Sequence, residues 1–98
     1  IFTQLKVRVY MKNTTMLEVA SNLILSQPNN NFTFDEIFNE VEKELKEIWM
    51  KRFLVNNPNE TYEKVREKRI GELYRLLTVD KKFLRNEDGT WCSKHKNV

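Results

Sequence analysis

Residues 60–92 read ETYEKVREKRIGELYRLLTVDKKFLRNEDGTWC, and the reading of this stretch decides the fold. At about 3.6 residues per turn, Tyr62, Ile70, Leu73 and Leu77 fall on one side of a helix. Lys64, Lys68 and Arg75 fall on the opposite side, within about 40° of one another. The helix therefore has an apolar inside and a basic outside. KFLR and TWC then read as two strands joined by NEDG, in which Asp88-Gly89 suits the positive φ of a tight connection. Phe83 and Trp91 give the ribbon an aromatic face. A basic amphipathic helix feeding a two-stranded ribbon is the second half of a winged helix-turn-helix.

The upstream residues supply the first half. Thr15-Met-Leu-Glu18 fits a capping box, so a helix starts there, with Leu17, Ala20, Leu23 and Ile24 as its apolar stripe. It stops before Pro28, because the residue preceding proline is pushed out of the α region. Phe32-Thr33-Phe34 reads as a minimal third strand able to pair with the wing, and Thr33 to Glu36 is a second capping box. Asp35 there suits the positive end of the helix dipole. Helix two keeps Ile37, Val41, Leu45, Ile48 and Arg52 in register, flanked by Phe38 and Trp49, and its outer face is crowded with Glu40, Glu42, Glu44 and Glu47. Asn57, Pro58 and Glu60 predict that helix three starts between 58 and 61.

The expected fold is α+β and mostly helical: a winged helix-turn-helix of three helices plus a small antiparallel sheet, occupying residues 15–95. Phe34, Phe38, Trp49, Tyr74, Phe83 and Trp91 are expected in or at the edge of its core, since so small a domain has few other ways to bury area. Residues 1–14 form an N-terminal extension and 96–98 a tail. Within the extension, Leu5, Val7 and Val9 alternate with Lys6, Arg8 and Tyr10, as in a strand. It lacks the continuous apolar run and the cleavage site of a signal peptide, and Met11 is a candidate natural start. Trp49, Met50, Phe53 and Leu54 present more apolar surface than one stripe can hide. Either the N-terminal strand covers it or it is a patch for a partner.

Composition narrows the function. Ninety-eight residues suit one domain. The net charge of +3 is unevenly spread, at +2 for residues 1–31, −4 for 32–63 and +5 for 64–98, so the basic surplus sits on the last helix and wing. A single cysteine and the absence of any apolar run near ~20 residues predict a reduced, cytoplasmic protein that does not enter a membrane. Cys92 and His95 alone cannot close a tetrahedral zinc site, the carboxylates of helix two read as a solvated face, and Gly71 and Gly89 are isolated, so no phosphate-cradling loop exists. Neither catalysis nor a cofactor or metal is expected.

Nucleic-acid binding is the reading the charges themselves suggest. Lys64, Lys68 and Arg75 could lie on phosphates while Lys81, Lys82 and Arg85 of the wing hold the neighbouring backbone. Against sequence-specific recognition stand Glu67 and Glu72 beside the stripe, and the lack of an exposed Asn or Gln on helix three to read adenine.

Two segments carry a resemblance to a known family. GELYRLLTVDKKFLRNEDGTWCSKH (71–95) resembles the end of the N-terminal winged-helix (HARE-HTH) domain of the bacterial RNA polymerase delta subunit, where a Leu-x-x-Asp step leads into a Phe-bearing strand and a Gly-x-Trp strand. TMLEVASNLILSQPNNNFTFDEIFNEV (15–41) resembles that domain's opening, a Leu-Glu-Val-Ala helix followed by a Phe-x-x-Ile-Phe helix. The resemblance implies an accessory subunit of bacterial DNA-directed RNA polymerase, monomeric outside the complex, that docks on core subunits and modulates initiation and recycling. The 98 residues include no counterpart of the family's acidic tail, so the resemblance implies docking, mapped onto 72–91, and leaves tail-driven displacement of nucleic acid outside what it implies for them. The alternative is a winged-helix DNA-binding transcription regulator.

Overall fold

In a computed structural model that describes residues 14–94, helix α1 (Met16–Ser26) begins at the expected cap: Thr15 Oγ1 accepts from the Glu18 amide at 3.1 Å, and Glu18 reaches back to the Thr15 amide at 2.8 Å. Helix α2 (Phe34–Trp49) repeats the device with Thr33 and Glu36. Each box satisfies donors that a helix start otherwise leaves unpaired. The strand expected over 1–10, His95 and the tail 96–98 lie outside the described residues.

Helix α2 runs into a π-helical turn, Met50–Leu54. The wider turn advances the chain by fewer degrees per residue, and Phe53 and Leu54 both pack against the core edge. The turn closes through Asn56, whose φ of 64° places it in the left-handed region that asparagine tolerates better than most residues. Asn57 completes the stop, its amide donating to the Leu54 carbonyl at 3.1 Å and its side chain to that of Phe53 at 3.4 Å. This corrects the expected helix start. Asn57 ends the preceding helix instead of opening the next, and 57–60 is a turn closed by Glu60 N–H to Asn57 C=O at 3.1 Å. The cap of helix α3 (Tyr62–Val79) is Thr61, whose hydroxyl accepts from the Lys64 amide.

Strands β1 (Phe83–Arg85) and β2 (Trp91–Ser93) pair antiparallel, with Leu84 opposite Cys92. The connection is longer than a two-residue turn: Asn86 and Thr90 still pair, Gly89 N–H donates to Asn86 C=O, and Gly89 alone in the hairpin takes positive φ, at 91°. This is a turn followed by a left-handed residue, the usual role of glycine in three-residue hairpin loops. Phe32 forms the expected third contact, exchanging both backbone hydrogen bonds with Trp91 at 2.8 and 2.7 Å. Three helices with a small antiparallel sheet make a winged-helix-like α+β fold.

The core joins Val19, Ala20 and Ile24 of α1, Ile37, Phe38, Val41, Leu45 and Trp49 of α2, Val65, Leu73 and Leu77 of α3, and Phe32, Phe83 and Trp91. Phe34 is half-buried at its edge, and Tyr62 and Ile70 are only partly buried. Tyr74, expected at the core, is 44% exposed, with its ring edge-on to Phe34 and Trp91 at centroid distances of 5.6 and 5.9 Å. Its ring shields the core from outside.

A polar connection through Glu42 ties α2 to α3. Glu42, expected on a solvated face, is half-buried and accepts from the Tyr62 hydroxyl at 2.5 Å and the Arg66 guanidinium at 2.9 Å. Burial alone would raise its pKa, but the Tyr62 and Arg66 hydrogen bonds and the Arg66 charge outweigh it and hold the carboxyl below its ordinary value. Burial and the Glu42 hydrogen bond push the Tyr62 phenol upward. A carboxyl depressed by folding adds stability that is complete above its unfolded pKa of about 4.3 and is lost as pH falls through the folded value. Glu42→Gln is therefore expected to lower stability near neutral pH, on the order of 1 kcal/mol, and to flatten its acid limb. Urea midpoints from pH 3 to 7 check this; a variant whose curve parallels the parent's over the whole range would show that the contact does not contribute.

Candidate docking and nucleic-acid interface

The outer face of α3 is built as expected, but its charge is largely spoken for. Lys68 Nζ lies 3.4 Å from Glu60, and Arg75 donates to Glu72 at 2.6 Å. The Arg75 hydrogen bond holds the Glu72 carboxyl below its ordinary value, and Glu72 in turn raises the Arg75 pKa. Lys64 is exposed, with its ammonium 3.5 Å from the Asn59 carbonyl. Two of the three cations thus face carboxylates of their own chain, and exposed Glu63 and Glu67 share the helix.

On the wing, Lys82 pairs with Asp80 at 3.0 Å, and the Lys82 amide and ammonium hold the Asp80 carboxyl low. Lys81 and Arg85 are exposed, and neither makes an ion pair among the described residues. Leu84 between them is 45% exposed. The six candidate cations therefore divide into two surfaces, a compensated stripe on α3 and a less compensated wing tip.

The apolar patch also divides. Trp49 is 3% exposed and stacks with Phe38 at 6.0 Å, so it belongs to the core and offers nothing to a partner. Phe53 is half-buried under the Arg69 guanidinium, 5.2 Å from its ring centroid. Met50 is 41% exposed, and with half-buried Leu54 it lines a shallow depression completed by Val55, Glu47 and Lys51. Val55, which lies outside the apolar stripe of the sequence, is the most exposed apolar residue there at 59%. Its signal was its place immediately after an apolar pair and before three breaker residues.

A second apolar groove runs between the start of α1, the end of α2 with its π turn, and α3. Leu17, Ile48 and Leu76 line it, and Arg52, Arg69 and Glu72 stand at its border. Among the described residues no group of three or more His, Cys, Asp or Glu could hold a metal ion, and no helix is long and apolar enough to cross a membrane. No family model matches the chain, nor does any curated protein or solved structure.

Proposed function

We propose that this winged-helix-like domain is a protein-docking module, an accessory subunit of bacterial DNA-directed RNA polymerase that acts in the cytoplasm on initiation and recycling. The resemblance of 15–95 to the delta subunit domain names the partner. The observation that supports docking over base reading is the compensation of the candidate recognition helix: Lys68 and Arg75 are engaged by Glu60 and Glu72. A helix whose cations are already paired must break those pairs to reach phosphate, and its outer face carries no amide side chain for reading adenine. Met50, Leu54 and Val55 supply an accessible apolar surface of the kind protein partners cover. Equilibrium titrations of a labelled domain at physiological salt are the test. Binding to core polymerase is expected to be tighter than to any member of a randomised duplex pool, with little discrimination among duplexes. Enrichment of one duplex sequence without measurable polymerase binding overturns the reading.

Exposed Lys81 and Arg85 support a second reading, weak nucleic-acid contact through the wing. Lys81→Gln with Arg85→Gln is then expected to reduce the slope of log affinity against log salt by roughly 2, at about 0.9 for each phosphate no longer neutralised. Replacing Lys64, Lys68 and Arg75 together by Gln is expected to change the slope less. A triple variant with the larger slope change would move any nucleic-acid site from the wing to α3.

A further inference from the structure

We propose that the outer edge of β1 takes an extended acidic segment of a protein partner as an added antiparallel strand, with an apolar side chain of that segment set against Leu84. The directions of the backbone groups carry this. Lys94 N–H donates to Lys82 C=O and Asn86 N–H to Thr90 C=O, so the hydrogen-bonded pairs of the hairpin are Lys82 with Lys94, Leu84 with Cys92 and Asn86 with Thr90. Phe83 and Arg85 alternate with them and turn their N–H and C=O groups away from β2. On its far side β2 is closed by the Phe32 bridge to Trp91, which makes β2 the middle strand and β1 the edge. Among the described residues no strand pairs with that edge, and Leu84 and Arg85 on it are exposed while all of β2 is buried.

The chemistry of the edge selects the occupant. Residues 81–85 carry three cations and no carboxylate, and Lys81 and Arg85 make no ion pair among the described residues. A second copy of the chain would bring the same sign to the same line, and cations along an edge repel their like. Phosphate supplies acceptors only. It meets the cations and the outward N–H groups, but it leaves the outward C=O groups of Phe83 and Arg85 without donors and has no use for Leu84, 45% exposed beside them. An extended peptide answers all of these, with its own N–H and C=O groups, carboxylates toward Lys81 and Arg85, and an apolar residue opposite Leu84. Strand and phosphate would share Lys81 and Arg85, so the wing holds one or the other at a time. This inference rests on the docking reading and gives the docked segment its form.

Amide exchange in the full chain tests it, with a blocked peptide alternating glutamate and valine as the probe. Saturating peptide is expected to slow exchange at the Phe83 and Arg85 amides by about fivefold or more, and to leave the Leu84 amide, already bonded within the hairpin, unchanged. With valine opposite Leu84, the glutamate amides face β1 and the valine amides face away. N-methylation at the glutamates is therefore expected to weaken binding by about tenfold or more, and N-methylation at the valines to leave it unchanged. Lysine in place of glutamate should weaken it as well. The inference is overturned by equal binding of the two methylated peptides, by no slowing at Phe83 and Arg85, by slowing that grows with protein concentration in the absence of peptide, or by equal slowing of the same amides with a short duplex. Polymerase binding by a domain whose edge does not take the peptide overturns this inference and leaves docking intact. Peptide pairing without polymerase binding supports it and removes only the partner named above.

Discussion

Leu73→Ala is expected to lower the free energy of unfolding by about 2–5 kcal/mol, the range for emptying a buried leucine site. Leu73 is 0% exposed and shares one apolar cluster with Trp91, Ile37 and Val19, contributed by the wing and by both other helices. Neighbours anchored on three different elements cannot all move inward at once, so the cavity collapses only in part. Domains are stable by about 5–15 kcal/mol in all, and the loss would be a large share of that. Leu84→Ala, at a position 45% exposed, serves as control and should stay well under 1 kcal/mol. Urea denaturation with the slope checked for constancy measures both. A change under about half a kcal/mol at Leu73 would mean that the inner face of α3 is assigned backwards.

Trp91→Ala is expected to cost about 3–5 kcal/mol, and Trp91→Phe much less, under about 1.5 kcal/mol. The difference comes from one atom. The Trp91 ring is buried beside Tyr74, but its indole N–H is buried without a hydrogen-bond partner. An unsatisfied buried donor costs about 1–3 kcal/mol, which phenylalanine avoids while keeping most of the apolar ring. Alanine loses the ring as well and should loosen the backbone bridge to Phe32, so exchange of the Phe32 amide should rise in parallel. Equal losses for the two variants would show that the N–H is satisfied in solution.

What was legible in the sequence followed the range of the interaction. Both capping boxes are local chemistry, four residues long, and Thr15 and Thr33 are where they were expected. The Phe32 contact with the wing was readable because a short aromatic triplet before a helix has few other uses. The inner face of α3 was read incompletely, and Val65 was missed. Arg66 and Arg69 interrupt that face, and only the fold shows that their guanidinium groups stack on Phe38 and Phe53, at 5.1 and 5.2 Å from the ring centroids. Glu42 looked like one more solvated carboxylate because its partners Tyr62 and Arg66 lie on another helix. Compensation of the basic stripe was half visible. Glu72 is three residues from Arg75, within reach of any helical wheel, whereas Glu60 precedes the helix and reaches Lys68 only through the turn that Asn57 opens. Trp49 follows Leu45 by four residues on the buried stripe of α2, so its place in the core was legible by periodicity and its place in the partner patch was the reading that failed.

The bridge between Phe32 and Trp91 also sets an order of assembly. The two residues stand about sixty positions apart, and closing a loop of that length costs roughly 3–4 kcal/mol by its logarithmic dependence on length. Two backbone hydrogen bonds return only about 2 kcal/mol net. The bridge therefore cannot nucleate folding. α2 and α3 must first shorten the loop by docking on each other, and the third strand is then captured last. The β1–β2 hairpin, closed over only a few residues, carries no such cost and can form before the bridge does.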